Sequence, residues 1–315
     1  MRITNCILAV ETSCDDTSIA VIKNGRLLAN VTVSSLKEHK KYGGVVPELA
    51  ARAHEKNLYI VVNQILSRTK LKLSAITHVA FTSEPGLPGS LHIGKIFAKS
   101  LAYLLHVPLI PVNHMMGHTF SFAINSKKKI SYPFVALIVS GGHTAIYYFK
   151  NLKQYKLLNE TKDDAVGETL DKIGRVLDLQ YPGGISIDQI YNHRKTSFKL
   201  IHHYLPKDNF SFSGIKTHIT NYVNHEKMCS TSVDKVTIGS SLLKWIVDEL
   251  ILKINYYAKK YKCNTLVIGG GVSANKLLKK EINKLPFSTF IPSHEYSGDN
   301  AAMIANYAYL ELMSK

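Results

Sequence analysis

The sequence predicts a duplicated α/β protein of two lobes. With 315 residues, 45% of them hydrophobic, the chain can bury a sizeable core and exceeds the usual size of one domain. Strand-like apolar runs and helical periodicity are mixed along its length. An order of strand, turn, strand, turn, strand at the start returns near Tyr132, in pattern with little identity of residues. The lobes expected are residues 1–131 and 132–315.

In the first lobe, residues 6–10 read as a buried strand, Glu11-Thr-Ser-Cys-Asp-Asp16 as a polar turn, and residues 18–22 as a second strand. Asn24-Gly25 signals a hairpin into a third strand over 27–33. Pro47 suits the first turn of a helix over 47–67. A strand over 79–82, the loop 84–89, a helix over 90–106 and a strand over 109–112 lead to a helix carrying His114 and His118. The second lobe opens with strands over 134–139, 145–149 and 155–158, the first two joined by Ser140-Gly-Gly-His-Thr144. Helices are expected over 166–177, 236–260 and 276–284, with a strand over 265–268. A closing helix follows Ser297-Gly-Asp299-Asn300. Residues 210–217 read as a dense polar-aromatic loop to which spacing assigns no role.

The net charge of +16 invites a polyanionic partner, since a basic surface attracts phosphate backbone. Only six of the 39 basic residues are Arg, and a lysine-rich chain is also what an AT-rich genome encodes. The densest clusters are Lys37, Lys40 and Lys41; Lys127, Lys128 and Lys129; and Lys259, Lys260 and Lys262. Cys6, Cys14, Cys229 and Cys263 form no CxxC pair, so neither a disulfide framework nor a cysteine zinc site is indicated. No apolar run approaches a membrane span, and the N-terminus runs straight into a strand-like segment. A cytoplasmic protein without membrane attachment is the expectation.

Two chemistries stand out. His114 and His118, four residues apart, share one face of a helix and can clamp a metal ion, with Asp299 at a helix N-terminus as a third ligand. The competing reading is a coincidental pair of histidines. Glycine turns at 141–142, 183–184 and 269–271 allow close backbone approach to phosphates, or are simply tight turns. Neither a P-loop nor a dinucleotide fingerprint is present. Glu168 and Asp171 share a face of a helix with an acid-rich start, where Asp171 either belongs to the cap or binds a ribose or other hydroxyl.

Taken together, the stretches 11–18, 43–54, 114–118, 139–143, 163–172, 181–184, 210–217, 269–275 and 299–303 resemble the tRNA N6-adenosine threonylcarbamoyltransferase family, the bacterial TsaD type once described as a glycoprotease. They run through nearly the whole chain in family order. The resemblance implies a duplicated actin-like fold of the sugar-kinase and Hsp70-ATPase kind, with two lobes around a nucleotide cleft. It implies transfer of a threonylcarbamoyl group from threonylcarbamoyl-AMP to the N6 amine of the adenosine 3′ to the anticodon, in tRNAs reading codons that begin with A. By that resemblance His114, His118 and Asp299 are metal ligands, with Fe(II) favoured over Zn(II). Ile138, Val139, Ser140, Gly141, Gly142, Asp171, Gly184, Asp188 and Asn275 are the implied adenylate contacts, and Asp15 is a further phosphate or water contact. An actin-like paralogue of the TsaB type and a small ATPase of the TsaE type are the implied partners. Glu84, Pro88 and Met116 depart from the family's commoner residues.

Three other readings compete, one of them a non-catalytic, nucleotide-dependent assembly subunit. A metalloprotease on a zincin-like helix needs Glu directly after its first His, where Met115 stands. A kinase or carbamoyltransferase on the same fold remains open, because fold does not fix chemistry.

Overall fold

The computed structural model describes residues 5–126, 128–200 and 209–314. It divides into two compact units: one runs to Lys129 and resumes at Pro292, and the other spans Ile130–Ile291. The expected break near 131 lies close to this boundary. The expected extent of the second lobe to 315 does not hold, because the last helix returns to the first unit.

The first unit comprises β1 (Cys6–Glu11), β2 (Asp16–Lys23), β3 (Arg26–Ser34), α1 (Leu36–His39), α2 (Pro47–Thr69), β4 (His78–Glu84), α3 (Pro88–Leu105), β5 (Leu109–Asn113) and α4 (His114–Phe120). Its sheet has the order β3-β2-β1-β4-β5, antiparallel across β3-β2-β1 and parallel across β1-β4-β5. All six residues of the central strand β1 are buried, as a strand covered on both faces requires. Asn24 and Gly25 both take positive φ, which fits the tight turn of the β2–β3 hairpin.

Helix α2 buries Ala50, Ala53, His54, Leu58, Val61 and Ile65 at helical spacing. Helix α3 buries a stripe of small residues, Ser90, Gly94, Ala98 and Ala102. Its Gly94 is needed, because a Cβ there would fall 2.1 Å from Thr12 Oγ1.

The second unit holds β6 (Phe134–Val139), β7 (Thr144–Phe149), β8 (Tyr155–Glu160), α5 (Val166–Val176), α6 (Gly183–Ile190), α7 (Ser213–Met228), α8 (Lys235–Lys260), β9 (Thr265–Gly269), α9 (Lys276–Ile282) and β10 (Ser288–Phe290). Its sheet order, β8-β7-β6-β9-β10, repeats that of the first, again with two antiparallel pairs and two parallel ones. The pattern echo in the sequence is therefore a repeat of topology. Helices α5, α7 and α8 supply most of the apolar cluster that packs on this sheet.

Helix α10 (Ala301–Met313) completes the first unit, packing on β1, β2 and β3 and against α4. Every residue of it from Ala301 to Ala308 is buried. Helices α1, α6 and α7 and strand β10 had no counterpart in the sequence expectation. The Gly183-Gly184 turn is in fact the start of α6, and the 210–217 loop becomes α7 at Ser213.

Candidate functional site

In the first unit Asn113 caps α4, accepting from the amides of Met115 and Met116, so that the helix begins on His114. His114 and His118 then lie one turn apart, both buried, with their rings edge to face at 4.6 Å. Gly117 lets α10 approach, since a Cβ there would fall 2.9 Å from Ile304 Cδ1 and 3.2 Å from Met303 Cγ. That approach brings Asp299 Oδ1 to 3.0 Å from His118 Nε2 and 3.5 Å from His114 Nε2. The structure thus brings the three residues together, with ligand atoms all within 4.8 Å of one another.

Behind His114 lies Glu11, the last residue of β1. Its Oε2 is 3.1 Å from His114 Nδ1, and Ser13 Oγ is 3.2 Å from the same nitrogen. Thr82 Oγ1 and the Ser13 amide also donate to the Glu11 carboxylate. Burial disfavours a charged His114, yet the Glu11 and Asp299 carboxylates outweigh it and push its pKa up to about 9. Burial, together with the neighbouring His114, holds the His118 pKa below its ordinary value. The site therefore favours one positive charge between two carboxylates.

Its donor set, two imidazole nitrogens and one carboxylate oxygen, suits a non-haem iron or a zinc ion with open positions. The second nitrogen of His114 is oriented by a carboxylate, as metal-binding histidines usually are. These residues fit a metal ion. Glu11 and Ser13 carried no assigned role in the sequence; the only signal was their place in the acidic stretch 11–18. Asp15 lies in the same loop, its carboxyl pKa raised by burial and by the charge of Asp299.

In the second unit the candidate adenylate contacts Ile138 to Gly142 lie at the C-terminal end of β6 and Asn275 shortly after that of β9, the end where ligands of open α/β sheets bind, while Asp171 is on α5 and Gly184 and Asp188 are on α6. Gly141, Gly142 and Gly271 face open space, leaving their backbone approachable. The 140–143 turn is closed by Ser140 N donating to His143 O at 2.8 Å and by His143 N donating to Ser140 Oγ at 3.2 Å. Gly167 of α5 packs directly under it, where a Cβ would lie 2.6 Å from Ser140 O.

Asp188 Oδ1 accepts from Asn275 Nδ2 at 2.8 Å, and Asn275 Oδ1 caps α9. Burial raises the Asp188 carboxyl pKa. Asp171 is not part of the cap of its own helix. It lies within α5, and its Oδ1 accepts from the Gly184 amide in the first turn of α6. Ile138 and Val139 are fully buried strand residues paired with Ala145 and Thr144, so their side chains serve the core.

The 210–217 segment acquires a structural role. Asp163 accepts from the Ser211 and Ser213 hydroxyls and from the Phe212 amide at 2.9 Å. Asp164 pairs with Lys172 of α5 and Lys216 of α7.

Two units of the same sheet order, one with a histidine–carboxylate cluster and the other with glycine-lined loops at its strand ends, define a duplicated, actin-like α/β protein. Solved structures of that fold align over 98% of the chain. The HypF protein of T. kodakarensis does so with a TM-score of 0.67 at 12% identity over 48% of its own length. Component A of (R)-2-hydroxyglutaryl-CoA dehydratase from Acidaminococcus fermentans does so with a TM-score of 0.56 at 11% identity over 99% of its length. At such identities the likeness concerns the fold alone.

The family model for TsaD, tRNA N6-adenosine threonylcarbamoyltransferase, matches residues 26–306. Proteins of that name are similar over nearly the full length. One from Ureaplasma parvum is 48% identical, covering 96% of this chain and 94% of its own. Another from Malacoplasma penetrans is 43% identical, covering 97% and 98%, and one from Staphylococcus haemolyticus is 40% identical, covering 96% and 90%. The chain belongs to the tRNA N6-adenosine threonylcarbamoyltransferase family, and is a tRNA-modifying transferase.

Proposed function

We propose that the chain transfers the threonylcarbamoyl group of threonylcarbamoyl-AMP to the N6 amine of the adenosine 3′ to the anticodon, in tRNAs that read codons beginning with A. The amine nitrogen forms a bond to the carbamoyl carbon, the bond from that carbon to the phosphate oxygen breaks, and AMP leaves as the nitrogen sheds a proton. Such a transfer depends on positioning and on charge stabilisation more than on covalent help.

One observation carries the metal-assisted part of this reading: His114 Nε2, His118 Nε2 and Asp299 Oδ1 converge although Asp299 is 181 residues from His118. These three residues would hold Fe(II), favoured for two histidines and one carboxylate, or Zn(II). When bound, the ion supplies Lewis-acid stabilisation of developing oxygen charge. Glu11 keeps His114 oriented through Nδ1. The exposed backbone of Gly141, Gly142 and Gly271 receives the phosphate side of the donor, while Asp171 and Asp188 serve its ribose and Asn275 holds Asp188 in place. Asp15 is a further contact in the first unit.

A partner protein completes the active assembly. Helices α2 and α3 leave Tyr59, Ile60, Ile96, Tyr103 and Leu104 exposed, a concentration of large apolar residues that supports a docking face. An actin-like paralogue is the occupant proposed for it, with a small ATPase joining the assembly. A reducing cytoplasm suits four free cysteines. Among the described residues no helix is long and apolar enough to cross a membrane.

The test is reconstitution with tRNA, threonine, bicarbonate, ATP and the synthetase that makes the adenylate, with and without the partners, read by nucleoside analysis of the tRNA. Modified adenosine should appear only with the partners. Multiple turnovers by the lone chain would refute the partner requirement. His114→Ala and His118→Ala should each lose bound metal and most transfer activity while still folding, because a three-ligand site rarely holds its ion with one ligand gone. Full metal content and normal transfer in both would sink the metal assignment.

A further inference from the structure

Asp299 reaches the histidines from the segment leading into α10, and that helix is capped in an unusual way. The first amides of a helix have no partner within it and are ordinarily met by a side chain of the segment just before. Here only the Met303 amide is met locally, by Asn300 Oδ1 at 3.0 Å. The Ala301 amide donates to Ser18 Oγ at 2.9 Å, and the Ala302 amide to Asn30 Oδ1 at 3.0 Å. Ser18 lies on β2 and Asn30 on β3, 283 and 272 residues away along the chain.

The two side chains are themselves braced. Ser18 Oγ donates to Asn30 Oδ1 at 3.2 Å, and Thr32 Oγ1 lies 2.9 Å from Ser18 Oγ and 3.3 Å from Asn30 Nδ2. Asparagine is a poor strand former, yet Asn30 sits in the middle of β3 at the edge of the sheet. Asn300 fixes the other side of Asp299, its Nδ2 donating to Gly298 O at 2.8 Å.

We propose that Ser18 and Asn30 are positioning residues for Asp299. By fixing the first turn of α10 to β2 and β3 in one register, they hold the carboxylate where it meets His114 and His118. The role rests on the metal-site reading given above, and it predicts that strand residues that are not themselves ligands set how tightly the ion is held.

The experiment measures Co(II) affinity by chelator competition and the visible spectrum of the Co(II)-loaded protein, on the full chain. Asn30→Ala, at a half-buried edge position, should weaken Co(II) affinity roughly tenfold, the lower end of what loss of an outer-shell partner does. Its Co(II) spectrum should change as the carboxylate shifts. Asn30→Asp keeps the acceptor for the Ala302 amide and should restore both. Val61→Ala, a cavity in α2 of the same unit, is the control for lost stability alone and should leave affinity and spectrum unchanged. Should Asn30→Ala bind Co(II) as tightly as the unaltered chain, or no more weakly than Val61→Ala, the positioning role is overturned. An unaltered chain that takes up no Co(II) would instead overturn the metal reading itself.

Discussion

At the scale of single residues, Asp163 shows how an acid in a conspicuous motif can serve structure. Burial works against its charge, but the Ser211 hydroxyl, the Phe212 amide and Ser213 more than compensate and hold its pKa below the ordinary carboxylate value. A lowered folded-state pKa contributes stability above the ordinary pKa of about 4, and that stability is lost as pH falls through the folded value. Asp163→Asn should therefore destabilise by about 1 kcal/mol at pH 7, a figure already reduced for solvent screening. Melting curves should show the difference from the unaltered chain closing below about pH 4. A difference that persisted unchanged at pH 3 would assign the effect to packing. The histidine pair was legible from its spacing and Asp299 from its place before a helix. Glu11 was not, because nothing in a polar turn marks which acid will point back at a histidine more than a hundred residues on.

At the scale of elements, strands β1 and β6 announced themselves as unbroken apolar runs, and α2 by its opening proline and apolar period. Helix α7 was hidden because its buried stripe is only Ile215, Ile219 and Val223 in a segment rich in Thr, Asn and His, which are weak helix formers. Helix α6 was hidden because Gly183 and Gly184 are turn residues by habit. Here Gly183 is needed for close packing instead, since a Cβ would lie 2.5 Å from Leu170 O. The loop after β9 depends on glycine more severely. Gly270 has φ +87°, and a Cβ on it would meet Val139 O at 2.3 Å. Gly270→Ala should thus cost at least about 2 kcal/mol from backbone strain and overpacking together. By displacing Asn275 it should also weaken adenylate binding, which a denaturation curve and a nucleotide titration would measure separately. Unchanged stability would mean that the loop can take another path.

At the scale of the whole molecule, the sheet order sorts the lysines. Lys259, Lys260 and Lys262 sit where α8 ends and β9 begins, the end of the second sheet away from the loops proposed to hold the adenylate. Lys276, Lys279 and Lys280 are on α9, directly after Asn275, and the first two are close enough to lower the Asp188 pKa against the effect of its burial. Removing the α9 charges together should flatten the salt dependence of tRNA binding by about 0.7 to 0.9 for each phosphate left without its lysine, while removing those at 259, 260 and 262 should leave the slope unchanged. The reverse result would put the RNA at the other end of the sheet. Of the cluster at 127–129, Lys127 lies outside the described residues. Charge density alone had singled out Lys259, Lys260 and Lys262 and passed over the α9 lysines, because composition records neither strand direction nor which loop lies at which edge.

The return of the last helix to the first unit has a bearing on how the protein is made. A ribosome adds about 5–20 residues each second, so the 181 residues between His118 and Asp299 represent roughly ten to forty seconds of synthesis. Throughout that interval the face of the first sheet that α10 will cover, with α4 beside it, is without its cover. All of the second unit has been translated by then. The half of the protein that starts first is thus the half that finishes last, and its apolar face needs protection on the nascent chain for as long as the other half takes to emerge.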